Sequence, residues 1–232
     1  EYKNYILEQE KQKMQENEKY INYLQKTMSL SRGQAENVLK TTGSKCFDAG
    51  ITNVEDIATI HKMTQGEDGL SINEAIGAKK FNDLLPKNML PSLTENYEGF
   101  YHLTYINGEV GKTTMAYIIR NHDFNQFKEQ KEFFVKAVEF MNNKYGANTI
   151  ELTLKDSYYN MKEIVMTNPT VLIAPTKALK RHNIDATFTP IRGGTDGARL
   201  TYSNIVTPNL GVGCGNFHGP YEYADITDMG KM

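Results

Sequence analysis

Cysteine is scarce in this 232-residue chain, and Cys46 and Cys214 lie far apart. Two distant thiols do not make a disulfide framework, so a reducing, cytoplasmic compartment is expected. No uninterrupted apolar run is long enough to span a bilayer, and no charged leader with an apolar core opens the chain. Neither membrane insertion nor secretion is therefore expected. Net charge is also small: 26 Lys and Arg stand against 28 Asp and Glu, giving −2. Without a basic field, nucleic acid is not an expected partner. What is present, 39% apolar residues over this length, suffices to bury a core in one large domain or two small ones. The chain opens on Glu1 rather than Met and stops soon after Thr227-Asp228-Met229, which reads as a helix beginning. A fragment is expected.

The first third differs in kind from the rest. Residues 1–28 hold Glu, Lys, Gln and Asn without Gly or Pro, so they favour helix. Leu7, Met14, Ile21 and Met28 recur every seventh position, a coiled-coil spacing, but Glu10 and Asn17 interrupt the seam. A solvated amphipathic helix accounts for the same pattern. Ser31 is placed to cap a helix running to about Lys40, with Gly43 beyond its end. Thr52 and Glu55 have capping-box spacing ahead of Ile57, Ala58 and Ile60. Short helices of this kind mimic a helix-turn-helix DNA reader. Through Asp68, however, nine basic residues face eleven acidic ones, the wrong sign for reading phosphates.

From Gly69 helices and strands alternate. Ile72, Ala75, Ile76, Ala78 and Phe81 share one helical face ahead of Pro86. Phe100–Val110 and Thr113–Ile119 are aromatic and β-branched around Gly108 and Gly111, the signature of a hairpin. Phe127, Phe134, Val138 and Met141 carry a helix over 124–145, which Gly146 ends. Strands are predicted over 149–154 and through Phe188 and Ile191, with a helix over 167–182 between them that has Pro169 in its first turn. This order gives most of a split βαββαβ, ferredoxin-like layer without an evident first strand. Val110-Gly111-Lys112-Thr113-Thr114 imitates the end of a phosphate-binding loop. That loop needs a glycine where Ile106 stands and a helix after the lysine, so a hairpin turn is the better reading.

The chemistry-bearing residues cluster late. Arg192 stands beside Gly193 and Gly194 and ahead of Thr195-Asp196, which starts a helix. Farther on, His218 sits in the glycine-bounded loop Asn216-Phe217-His218-Gly219. A guanidinium fork suits a carboxylate, glycines let backbone approach a ligand, and a histidine in a tight loop suits a metal. Backbone amides around Gly193, Gly194 and Thr195 would add donors for an anion or a carbonyl oxygen. Arg120, at the end of a predicted strand, is either a surface residue or a second such donor. Cys214 reads as a small buried thiol or an opportunistic ligand. Asn160 is a turn former or lines the site. His61, His102, His122 and His182 have no partner pattern and read as structural or exposed.

Six segments, in order, resemble the peptidase T family of tripeptide aminopeptidases, within the dizinc exopeptidase superfamily. They are TENYEGFYHL (Thr94–Leu103), YIIR (Tyr117–Arg120), DSYYNM (Asp156–Met161), PIRGGTDGARL (Pro190–Leu200), TPNL (Thr207–Leu210) and NFHG (Asn216–Gly219). The resemblance runs from about Gly69 to Met232. It implies an α/β (α+β) chain with a helical segment of no recognised family over 1–68 and a ferredoxin-like lid or dimerisation domain over 69–165. The last part of a zinc-binding α/β catalytic domain would occupy 166–232. It further implies that Arg120, Arg192, Gly193, Gly194 and Thr195 bind a short peptide and that His218 ligates one of two zinc ions.

The family's other ligands are a His-x-Asp element, a bridging aspartate, a Glu-Glu pair and a further aspartate. This sequence has no His-x-Asp and no adjacent Glu-Glu, and Gln65-Gly66-Glu67-Asp68 stands where the family has His-Pro-Gly. Pro220 and Tyr221 follow His218 where polar or basic residues are common, and Asn121 replaces an acidic residue. One imidazole holds zinc weakly, and the general base for metal-bound water is missing as well. The expectation is a fragment or degenerate member, inactive alone, with a complementing catalytic half or a homodimer as partner. The alternative is a non-catalytic binding or dimerisation protein built on the lid.

Overall fold

A computed structural model describes residues 2–66, 69–109 and 111–231. Leu7, Glu10 and Met14, on which the heptad spacing rests, have side chains outside that description, as do Glu67, Asp68, Val110 and Met232. The chain mixes helix with small sheets, an α+β arrangement. It divides into two compact units. One comprises Glu1–Leu90, Tyr101–Ile119 and Phe134–Ile150, and the other Pro91–Phe100, Arg120–Phe133 and Glu151–Met232.

The first unit begins with α1 (Tyr2–Met28) and α2 (Arg32–Val38). Ser31 caps α2 in a reciprocal box with Gln34, satisfying two otherwise orphaned backbone donors. The helix does not stop near Lys40 as predicted. It widens into a π turn over Leu39–Gly43 and resumes as α3 (Ser44–Asp48). Asn53, not Thr52, caps α4 (Val54–Met63), its side chain accepting from the Glu55 amide. Ile21 and Leu24 of α1 pack with Ala35, Val38 and Ala58. A neighbouring core joins Cys46, Ile57 and Ile60 to Leu70, Ala75, Ile76 and Ala78 of the segment leading into and forming α5 (Ile72–Leu84). The expected boundary at Asp68 therefore separates no cores. Apolar side chains on both sides of it leave water together, each isoleucine or leucine worth about 1.5–3 kcal/mol when fully buried.

The hairpin is as predicted: β1 (Phe100–Glu109) pairs with β2 (Lys112–Arg120). Glu74 ties it to α5, one carboxylate oxygen accepting from the Ser71 amide and the other from Gly111, each at 2.9 Å. These backbone donors hold Glu74 below the usual carboxylate range. The turn that imitates a phosphate loop thus presents the Gly111 amide to a protein carboxylate. Helix α6 (Phe124–Tyr145) brings Phe134 edge-on to Phe81 and Tyr117 at 5.3 and 5.2 Å. The strand predicted over 149–154 does not form. Asn142 takes both backbone groups of Ile150, accepting its N–H at 2.7 Å and donating to its carbonyl at 3.0 Å, where a strand partner would otherwise bond. The ferredoxin-like layer is reduced to a helix, a hairpin and a helix.

Partial burial holds the His61 imidazole, 3.1 Å from the buried Thr42 hydroxyl, below its ordinary range. The unfolded chain takes up the proton first as pH falls through about 6.5. Stability is therefore full above that pH and is lost as pH falls toward the lower folded value. Denaturant unfolding of this unit between pH 7.5 and 5 should show the decline, and His61→Gln should flatten it.

The second unit holds α7 (Lys162–Thr167), α8 (Thr170–Arg181), α9 (Asp196–Tyr202), the two-residue strands β3 (Cys214–Gly215) and β4 (Tyr223–Ala224), and α10 (Ile226–Met229). The helix predicted over 167–182 forms as α8, with Pro169 as its N-cap residue, and a separate short helix, α7, ends at Thr167 ahead of it. The backbone through Phe188 and Ile191 is irregular, and Phe188 is exposed. Val165 and Ala198 are the buried apolar residues of its helices.

Candidate functional site

Five of the six recognised segments meet in the second unit. Arg192 donates from Nη1 to the Thr94 carbonyl and from Nη2 to the Thr94 hydroxyl at 2.6 Å. Its guanidinium carbon lies 4.9 Å from the centre of the Phe100 ring. Arg120 donates from Nη1 to the Arg192 carbonyl at 2.6 Å and from Nη2 to the Tyr158 hydroxyl at 3.2 Å. His122 lies 3.3 Å from the Ile191 carbonyl through Nε2, with Tyr97 edge-on at 5.2 Å. Asn160 donates to the His122 carbonyl at 3.3 Å and accepts on its own carbonyl from Tyr202 at 2.9 Å.

These bonds fix the loop that carries the glycines. A Cβ on Gly194 would fall 2.0 Å from the Tyr158 hydroxyl, so the glycine makes room for that ring. Gly193 has nothing within 4 Å of a Cβ and stands open. Thr195 caps α9, its hydroxyl oxygen accepting from the Ala198 amide at 3.3 Å and from Asn209 of the TPNL segment at 3.2 Å. Behind it a Cβ on Gly197 would sit 2.7 Å from the Thr207 carbonyl oxygen. That collision is with backbone and no rotamer relieves it. Gly197→Ala is expected to cost about 1–3 kcal/mol, read as an earlier denaturant midpoint with loss of α9 protection in hydrogen exchange.

The loop bearing His218 forms its own hydrogen bonds. The Asn216 side chain donates to the Tyr221 carbonyl and the His218 amide to Glu222 Oε2, each at 3.2 Å. Asn216 and His218 both adopt left-handed backbone, at φ 55° and 63°, a conformation in which Asn and His are enriched among non-glycine residues. Glu222 therefore lies near His218, a proximity that their sequence spacing left open. Asp196 lies in the first turn of α9. Cys214 is not the buried thiol expected; it is half-buried and its Sγ lies 3.6 Å from the Val212 carbonyl. Among the described residues no group of three or more His, Cys, Asp or Glu is placed to hold a metal ion. A zinc centre needs about three protein ligands, and the residues here do not fit one.

Thr94, Tyr158 and His122 complete the constellation and were not singled out from the sequence as site residues. Thr94 and Tyr158 lie inside two of the recognised segments, the one signal that could have marked them.

No family model matches the chain. It is 48% identical over 160 residues to peptidase T of Staphylococcus saprophyticus, covering 69% of this chain and 39% of that one. It is 45% identical over 186 residues to peptidase T of Clostridium perfringens, covering 80% and 45%. With peptidase T of Bacillus velezensis the figures are 42% over 167 residues, 70% and 41%. The chain thus spans about two fifths of the length of these curated relatives. The Clostridium match is longer than Gly69–Met232, so it takes in residues ahead of Gly69 that the sequence reading left outside the resemblance.

Proposed function

We propose a function from the premise that this chain belongs, over about seven tenths of its length, to the peptidase T family. It is one part of an aminopeptidase that releases the N-terminal residue from tripeptides. The observation that carries this reading is the convergence of Thr94, Arg120, Tyr158 and Arg192 around the glycine loop. Two guanidiniums and an open backbone segment meet there, the chemistry that recognises the carboxylate and carbonyls of a short peptide. Each arginine has five N–H donors and commits two to the protein in the bonds above. In this reading Arg120, Arg192, Gly193 and Gly194 touch the peptide, and Thr195 holds the turn.

His218 is assigned as one metal ligand of the family's zinc pair. A single imidazole does not form that centre, so the remaining ligands and the general base belong to polypeptide outside the matched stretch. The chain is inactive without it. No helix among the described residues is long and apolar enough to cross a membrane. A cytoplasmic location rests on the two free thiols.

One observation favours a second reading, a non-catalytic binding or dimerisation protein. The N-terminal helices share a core with α5, so they belong to the same folded body as the lid-like hairpin.

The test supplies what is missing. The portion of S. saprophyticus peptidase T that this chain does not match is added as a separate polypeptide with zinc, and tripeptide hydrolysis is followed. Turnover that is lost on His218→Ala is expected. A complex that forms yet never hydrolyses tripeptides would refute the proposal.

A further inference from the structure

We infer that His122 is a positioning residue for the glycine loop: its imidazole, together with Arg120, turns the Arg192 and Gly193 N–H groups toward a peptide. The inference rests on the proposed function, in which this loop meets a short peptide. His122 lies in the turn between β2 and α6, and its neighbours fix that turn. Asn121 accepts from the Asp123 amide, and Asp123 accepts from the amides of Asn125 and Gln126, each at 2.9 Å. The His122 carbonyl accepts from Asn160, whose own carbonyl accepts from Tyr202 of α9. From this held backbone the ring lies edge-on to Tyr97 and reaches the Ile191 carbonyl through Nε2.

A carbonyl can only accept, so Nε2 carries the hydrogen of that contact. Arg120, two residues earlier, donates to the next carbonyl along the loop, that of Arg192. Consecutive loop carbonyls are thus bound by two side chains from one end of β2. The peptide bonds here are trans, and in a trans unit the N–H points opposite to the C=O across one plane. Fixing the Ile191 and Arg192 carbonyls therefore turns the Arg192 and Gly193 N–H groups away from His122 and Arg120. Among the described residues no protein group accepts from the N–H of Arg192, Gly193, Gly194 or Thr195. Gly193 has open space where a Cβ would stand, so a ligand can reach this backbone.

The Arg192 side chain is held separately, by Thr94. Guanidinium and amides are thereby set in one geometry before a peptide arrives, which removes part of the ordering cost of binding. A packing role would explain the ring against Tyr97, but not why Nε2 ends on the carbonyl directly before Arg192. Two substitutions separate these roles. His122→Phe keeps an aromatic ring beside Tyr97 and removes the donor. His122→Gln gives up the ring and offers an amide nitrogen close to where Nε2 stood.

The full chain, labelled with nitrogen-15, is followed by NMR with and without trialanine. The neutral His122 ring is expected to carry its proton on Nε2. The Gly193 N–H order parameter should be about 0.85 in the parent and in His122→Gln, and below about 0.6 in His122→Phe. Trialanine should shift the Gly193 and Gly194 amides of the parent. His122→Phe should weaken its binding about fivefold, as expected for one hydrogen bond, and His122→Gln should recover most of that loss. A proton on Nδ1, a His122→Phe loop as rigid as the parent's, or a His122→Gln loop as loose as that expected of His122→Phe would each overturn the inference. The expected order parameters without any shift from trialanine would uphold the hold of His122 on the loop and sink the proposed function instead.

Discussion

Given a tripeptide and excess zinc but no second polypeptide, the chain is expected to release no N-terminal residue above the solvent background. Enzymes typically accelerate such reactions at least about a million-fold, so the shortfall should be of that order. The reason is coordination. His218 sits on an exposed loop, and the nearest carboxylate in its hydrogen-bonded surroundings, Glu222, accepts from the His218 backbone amide. Counting both side chains gives two ligands, short of the three that a catalytic zinc requires and far short of a pair of ions. Glu222 cannot serve as ligand and general base at once. Metal content after dialysis should be well below one zinc per chain, and His218→Ala should leave the rate at background. Turnover by the purified chain that disappears in His218→Ala would overturn this.

Local chemistry made much of the architecture legible from sequence alone. The hairpin and α6 lie where their residues place them, because β-branched and aromatic runs around Gly111 and the helical spacing of apolar residues over 124–145 leave few alternatives. The misses came where a single side chain overrode a pattern. Ile150 lies in a strand by composition, yet Asn142, eight residues earlier, takes both of its backbone groups. Gly43 reads as a helix stop, but a π turn carries the helix through it. Cores that join distant segments were the least legible. The packing of Ile57 and Ile60 against Ala75 and Ile76 crosses a composition change that looked like a boundary.

The candidate site divides in the same way. Arg192 and its glycines stood out from sequence because a guanidinium between Pro190 and two glycines has few structural uses. The acceptors that hold it did not, since Thr94 lies almost a hundred residues away and threonine carries no signal of its own. The Tyr158 hydroxyl likewise explains Gly194 only once the two are seen together.

Arg192→Ala should therefore be the most damaging single change in the second unit. It removes two charge-assisted hydrogen bonds to Thr94 and a stacking contact with Phe100. Hydrogen bonds from a charged donor contribute about 1.5–3 kcal/mol each, and the ring contact about 0.5–1 kcal/mol where exposed. The bonds are not independent, since both end on one threonine, so a total of about 3–5 kcal/mol is expected. That free energy should appear as local opening, with faster amide exchange in Pro91–Phe100 and around Gly193, while Ile57 and Ala75 in the first unit keep their protection. Arg192→Lys separates geometry from charge. An ammonium reaches one Thr94 oxygen as a point charge but cannot fork across both, so less than half of the loss should be recovered. Full recovery with lysine would mean that charge alone holds the loop, and the planar fork would lose its role in positioning Gly193 and Gly194 for a peptide.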